Sequence, residues 1–280
     1  MLLFSLLSLQ AQRDYLPTVD DLERFGKSKT YVVLEDNAFS DYNFEIQEVV
    51  KKHWILTAYE VISYQEFKER RNDPQASFLF VAEVNLERDK SRARYKFLCL
   101  SMGGENATVD MMKDISNLPY AYSETEEDQQ VYHLATLVRF LQQHVRALMD
   151  NPSLVSQHPF QVYNRNMSLL SEKTLYLVRD ELASDITTEE QIRDVYPYPF
   201  RLVEGEELRE MLKSGEAEDV VFLHKVGPQN RDLESRVYKM LLGVDDATLY
   251  YFNYHKANAK NPDAILKNDL RRIGKAPKSK

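Results

Sequence analysis

Cysteine and glycine are scarce in this 280-residue chain, and its 36 Lys and Arg are outnumbered by 44 Asp and Glu; each imbalance closes off a class of chemistry. A single cysteine, Cys99, excludes an intramolecular disulfide framework in any compartment. It alternates with Phe97 and Ser101 in an apolar run, the setting of a structural thiol and not of a nucleophile. There are only eight glycines, and neither a P-loop nor a Gly-x-Gly-x-x-Gly follows any apolar stretch, so the backbone cradle of phosphate-binding folds is missing. Gly103-Gly104 is a lone pair that reads as a turn, and no Gly-x-Ser-x-Gly nucleophile elbow occurs. No apolar run reaches the roughly 20 residues that span a bilayer.

The net charge is −8. From Lys256 onward there are eight Lys/Arg against two Asp, a local +6 that leaves −14 for the rest. An acidic body argues against nucleic acid as a general partner, because phosphate binding needs a basic face. The six histidines form no local metal motif: His133 and His144 are eleven residues apart, about 16 Å along a helix, which is too far to share an ion. The expectation is no cofactor and no metal.

What the chain does have is a repeat. Lys29-Thr30-Tyr31-Val32-Val33-Leu34-Glu35-Asp36 returns as Lys173-Thr174-Leu175-Tyr176-Leu177-Val178-Arg179-Asp180. Tyr59-Glu60-Val61-Ile62 answers to Phe200-Arg201-Leu202-Val203, and Arg94-Tyr95-Lys96-Phe97-Leu98 to Val237-Tyr238-Lys239-Met240-Leu241. Ser77-Phe78-Leu79-Phe80-Val81 likewise answers to Asp219-Val220-Val221-Phe222-Leu223, and the turn at Glu105-Asn106-Ala107-Thr108-Val109 to Asp245-Asp246-Ala247-Thr248-Leu249. A period near 140 residues is too long for a solenoid and fits a duplicated globular domain.

Within each copy the signals alternate. In the first, a helix from Asp41 follows the first strand, and Ser63-Tyr64-Gln65-Glu66 forms a capping box opening a second helix. The run 77–84 is a buried strand, 92–102 is the next, and a short strand near 107–110 closes a hairpin through Gly103-Gly104. In the second, Thr187-Thr188-Glu189-Glu190 caps one helix, and another runs from Glu206 to Lys213 and is closed by Gly215. The fold class is therefore α/β or α+β: two tandem modules with mixed β-sheets, joined by a long amphipathic helix. That helix starts at the box Ser123-Glu124-Thr125-Glu126 and carries a seam of Val131, Leu134, Val138, Leu141, Val145 and Leu148, with Leu137 and Phe140 widening its apolar face. The seam lasts under three heptads, which favours a monomer over a dimer built on this helix.

The boundaries that follow are a signal peptide at 1–12, a first module at 13–122, the central helix at 123–150, a second module at 151–255 and a basic C-terminal helix and tail at 256–280. The signal peptide rests on the charge-free Met1–Leu9 run and its Gln10-Ala11-Gln12 exit, and implies a periplasmic or secreted protein with no membrane span in the mature chain.

The order strand-Asp, two short helices and a Tyr-rich hairpin with a Gly-Val-Asp-Asp-Ala-Thr turn resembles the amino-terminal domain of TolB and the related module of CsgG-like periplasmic proteins. The resemblance covers both repeats and not the central helix. It implies an assembly or protein-binding part of the Gram-negative envelope, with envelope proteins as partners. The β-propeller of TolB and the long membrane-spanning hairpin of CsgG have no counterpart here.

A polar site, if built on such a sheet, belongs at the carboxyl end of the first strand of each copy. Asp36 with Glu35 and Asn37 stands there in the first, and Asp180 with Arg179 and Glu181 in the second. His53 beside Trp54, the only tryptophan, suits a pocket rim. Tyr250, Phe252 and Tyr254 fall on one face of a strand and suit stacking against peptide or glycan. The reading is a non-enzymatic binding or assembly protein of the envelope. The alternatives are a carboxylate-dependent hydrolase at Asp36 or Asp180 and a cytoplasmic ligand sensor.

Overall fold

The computed structural model describes residues 16–85, 93–105, 108–126, 128–214, 217–228 and 235–276. The expected signal segment 1–12, Asn106 and Ala107, Gly215 and the last four residues lie outside them. The chain forms two compact units. Unit one gathers the residues up to Ala82 with Phe97–Leu118 and Leu137–Pro159; unit two gathers Glu83–Lys96, Pro119–Thr136 and Phe160 onward.

The fold is mixed α/β with two five-stranded sheets. The first contains β1 (Lys29–Val33), β2 (Ala58–Ile62), β3 (Ala76–Asn85), β4 (Arg94–Met102) and β5 (Lys113–Tyr122), in the order β2-β1-β3-β4-β5. The second contains β6 (Thr174–Val178), β7 (Phe200–Val203), β8 (Val220–Val226), β9 (Arg236–Gly243) and β10 (Leu249–Lys256), in the order β7-β6-β8-β9-β10. The two orders are the same. β1 runs parallel to β2 and β3, with Lys29 opposite both Ala58 and Ala76, and β6 runs parallel to β7 and β8.

In unit one, α1 (Val19–Lys27) is opened by a capping box in which Thr18 Oγ1 accepts from the Asp21 N–H and Asp21 accepts from the Thr18 N–H. α2 (Asp41–His53) is capped by Ser40, and α3 (Tyr64–Arg70) by the reciprocal Ser63/Glu66 box that the sequence predicts. Val33, Ile62, Phe67, Phe78, Phe80 and Cys99 form one buried cluster, with the Phe67 ring 5.2 Å from Phe78 and 5.3 Å from Phe80. Full burial of each such side chain contributes about 1.5–3 kcal/mol.

Two sequence expectations for the first copy are corrected. Residues Val109–Met111 form a 3₁₀ turn, and the fifth strand lies later, at Lys113–Tyr122. Its Asp114, Asn117 and Pro119 disguise it, and proline is tolerated there because β5 is an edge strand. Gly103-Gly104 is not a hairpin tip. The Gly103 N–H donates to Ala76 O and the Gly104 N–H to Arg71 O, and a Cβ on Gly103 would be driven into the Asp73 carbonyl. The glycine is there for close backbone approach.

The long helix is also shorter than expected. The Ser123 N–H donates to Arg94 O, so the chain here is still leaving the sheet, and the Ser123 hydroxyl caps no helix N–H. A single turn, α4 (Asp128–Val131), precedes a break at Tyr132-His133, and α5 (Leu134–Asp150) follows. Leu134, Leu137, Val138, Phe140, Leu141, Val145 and Leu148 are all buried within the one chain. In unit one the Gln142 side chain stitches α5 to the end of α2, accepting from the Ile55 N–H and donating to His53 O.

In unit two, α6 (Glu189–Arg193) carries the Thr188/Gln191 box, α7 (Gly205–Ser214) joins β7 to β8, and α8 (Lys267–Gly274) docks by Leu270 and Ile273 onto a core of Leu175, Leu177, Tyr196, Val221, Leu241 and Tyr251. A 3₁₀ segment at Gln161–Glu172 flanks β10, where the Asn164 side chain accepts from the Phe252 N–H and donates to Phe252 O.

Candidate functional site

The carboxyl end of the second sheet carries the larger polar cavity. After β6 the chain makes a 3₁₀ turn at Arg179–Glu181, and this turn is pinned from outside the sheet. The Ile265 N–H donates to Glu181 O at 2.8 Å, and the Ala183 N–H donates to Ile265 O at 3.1 Å. The first residues of α7 and the end of β8 stand beside it. With Tyr120, Tyr122, Tyr132 and His133 they enclose about 310 Å³, all of it lined by residues of unit two. Crevices of this kind form where parallel strands end at helix amino termini.

Ionisable groups crowd this wall. His224 Nδ1 lies 2.9 Å from His133 Nδ1, and His224 Nε2 lies 3.0 Å from Pro119 O. The two rings are 1% and 6% exposed. Burial pushes His224 down to about 4 and His133 well below the ordinary histidine range, so both are neutral at pH 7. Burial pushes the Glu181 carboxyl up to about 7; Lys225 opposes this, and Asp263 and Asp180 add to it. Tyr132 is also raised, by burial and then by Glu181. Lys225 Nζ is paired with Asp263 at 2.8 Å. Arg209 pairs with Asp128 at 3.3 Å and Glu206 at 3.5 Å, and its guanidinium lies over the Tyr132 ring. A wall with a half-titrated carboxyl beside neutral imidazoles can both accept hydrogen bonds and exchange protons near neutrality.

The matching address in unit one is different. A groove of about 140 Å³ is lined by Val33, Leu34, Glu35, Asp36, Tyr64, Phe67, Phe80 and Val81. Apart from Glu35 and Asp36 it is apolar or aromatic. Asp36 is exposed at its edge, and the loop is shaped by buried Asn43, which accepts from the Glu35 N–H and donates to Glu35 O and Asn37 O.

Of the residues singled out from sequence, Asp180 lines the polar pocket and Asp36 the apolar groove. His53 and Trp54 stand at the end of α2 in unit one. Trp54 is buried with its Nε1 donating to Thr57 Oγ1, and His53 is shifted down by burial and by Arg139 and Lys52. They line neither the polar pocket nor the apolar groove. The single aromatic face of β10 does not form. A β-bulge between Leu249 and Tyr251 places both Tyr250 and Tyr251 in the core cluster, while Phe252 is buried edge-on to Phe160. Tyr254, 37% exposed, is the one ring of the three open to solvent.

Sequence reasoning missed His133, Arg209, Tyr132 and His224 as site residues. The signal for His224 was present, a histidine inside the apolar run Val220-Val221-Phe222-Leu223-His224-Lys225-Val226. Nothing marked its meeting with His133, 91 positions away. Among the described residues no three His, Cys, Asp or Glu gather as a metal would need, and no helix is long and apolar enough to cross a membrane. The chain matches no family model, no curated protein and no solved structure.

Proposed function

We propose that the protein is a non-enzymatic binding protein that holds a small polar ligand at the carboxyl end of the second sheet, and that it works in the bacterial envelope or outside the cell. The observation that carries the binding role is the pocket of about 310 Å³ with Glu181, His224, Arg209 and Lys225 on its wall. Small-molecule sites are concave, with a few convergent polar groups and perturbed ionisable residues. The envelope assignment is supported by the Met1–Gln12 sequence and by the resemblance of both repeats to TolB and CsgG-like modules. The test is thermal melting of the full chain against small polar molecules. Ligand at 100 times its Kd adds about 2.7 kcal/mol, and that gain should vanish in Gly205→Phe, whose ring would stand in the pocket. Mass spectrometry of natively expressed protein should find a chain starting near Gln12 or Arg13, and an intact Met1 in the cytosol would remove the envelope half of the proposal.

A second reading is favoured by one observation, the Glu181 carboxyl held near 7 with Asp180 on the same wall. A carboxyl at that value is suited to general acid or base work. Turnover of nitrophenyl esters or glycosides that disappears in both Asp180→Asn and Glu181→Gln would establish a hydrolase; a protein inert toward them while binding ligand would dismiss it.

A further inference from the structure

The hydrogen bonds of the imidazole pair assign their own tautomers. A carbonyl only accepts, so His224 Nε2, facing Pro119 O, carries the hydrogen. In a neutral ring the other nitrogen is then a lone pair, and the 2.9 Å contact requires His133 Nδ1 to be the donor. This leaves His133 Nε2 a lone pair, enclosed and without a hydrogen-bond partner. Glu181 Oε2 is a second enclosed acceptor with none. The cations of the wall are already engaged, Lys225 with Asp263 and Arg209 with Asp128 and Glu206. The wall thus has two enclosed acceptors unmet against one enclosed donor, the Arg209 Nε–H, which stands 3.5 Å from Glu206, and around them stand the rings of Tyr120, Tyr122 and Tyr132 and the acidic side chains of Asp180 and Glu206.

We propose that this pocket takes a small organic cation, a primary ammonium or a guanidinium, with Glu181 as its counter-carboxylate, His133 Nε2 as a further acceptor and the tyrosine rings around the charge. The proposal rests on the reading of this pocket as the ligand site. An ammonium brings three N–H donors and a guanidinium five, which suits a wall with two enclosed acceptors unmet. Tyrosine faces attract cations, the more so when water is excluded. An anion would meet Asp180, Glu181 and Glu206 and find both cations already paired.

The experiment is calorimetric titration of the full chain at pH 8 with agmatine, putrescine and choline as cations, acetate and phosphate as anions, and glucose as a neutral probe. Agmatine or putrescine should bind, and Glu181→Gln should weaken that binding at least tenfold. Between pH 8 and pH 6 the wild-type affinity should fall about tenfold as Glu181 takes up a proton, and Glu181→Gln should lose this dependence. The groups facing Glu181 are Lys225 on β8, Asp263 ahead of α8, Asp180 in its own turn and Tyr132 after α4. Gly205 opens α7 on the pocket wall with open space where its Cβ would stand, so Gly205→Phe should block the cations with the melting temperature unchanged, even if Glu181→Gln folds poorly. Cation binding indifferent to both variants would overturn the proposal. Response only to acetate, phosphate or glucose, blocked by Gly205→Phe, would overturn the ligand class and leave the pocket a binding site. Silence toward all six probes would count against the class and the pocket together.

Discussion

Lys239 shows how the second core tolerates charge. It is 0% exposed and ion-paired with Asp269, which also accepts from Tyr251 Oη at 2.7 Å, Asn253 Nδ2 at 3.0 Å and the Leu266 N–H at 3.0 Å. Removing one partner leaves the other charge buried and alone, so Lys239→Met should cost about 3–5 kcal/mol in urea unfolding, and the double variant Lys239→Met/Asp269→Asn, which removes both charges and keeps an acceptor for Tyr251 and the Leu266 N–H, should recover part of it. The buried histidines set an acid limit. Burial brings His144 and His224 down to about 4 and His133 well below its usual range. Below about pH 6.5 the unfolded chain takes up protons that the folded chain refuses, so the stability present above 6.5 is lost as pH falls toward 4. The slope reaches at most about 1.4 kcal/mol per pH unit for each histidine. Glu181 acts in the opposite sense: its contribution is full below the ordinary carboxylate value and lost as pH rises through about 7. Melting scans from pH 4 to 7 should show the histidine trend winning, since His53 and His255 are lowered in the same sense while only Asp114 joins Glu181 in the other, and His224→Gln should flatten it.

At the level of elements, α5 depends on one buried stripe. Leu141 is wholly buried, and its truncation to alanine should cost about 2–5 kcal/mol through lost transfer energy and the cavity left behind. Because the stripe is covered within the chain, that loss should be independent of protein concentration; a fall that grows on dilution would point to a partner helix. The elements most legible in the sequence were those with local chemistry: the Ser63 box, the parallel strands opening each copy and the seam of α5; the cap of α6 was read one residue early, since Thr188 with Gln191 forms it and not Thr187 with Glu190. β5 was missed because Asp114, Asn117 and Pro119 break its pattern, and the start of α4 was misplaced because Ser123 spends its N–H on Arg94. The address of the polar pocket was legible from Asp180, since parallel sheets present their carboxyl ends in a predictable place. Its contents were not, because the His133–His224 bond spans 91 residues and leaves no periodic trace.

At the level of the molecule, the two copies are sequential but the two units are not. Unit two takes 83–96 and 119–136 from the first half of the chain and everything from Phe160 onward from the second. The pocket draws Tyr120, Tyr122, Tyr132 and His133 from the first and Glu181 and His224 from the second. Residues 151–280 produced alone should therefore melt well below the intact protein, and adding residues 13–150 should restore part of the difference, as circular dichroism would show. One feature of unit two bears on a different hazard. The far edge of its sheet, β10, would otherwise offer a row of open backbone groups to a neighbouring molecule. Asn164 occupies the place of a guest strand, matching the Phe252 N–H and carbonyl with one amide, and Asn166 adds a bond to Leu249 O. Two amides thus act as a stopper against polymerisation. In Asn164→Ala that stopper is gone, and a folded but self-associating protein, growing in light scattering with time at high concentration, is the expected result.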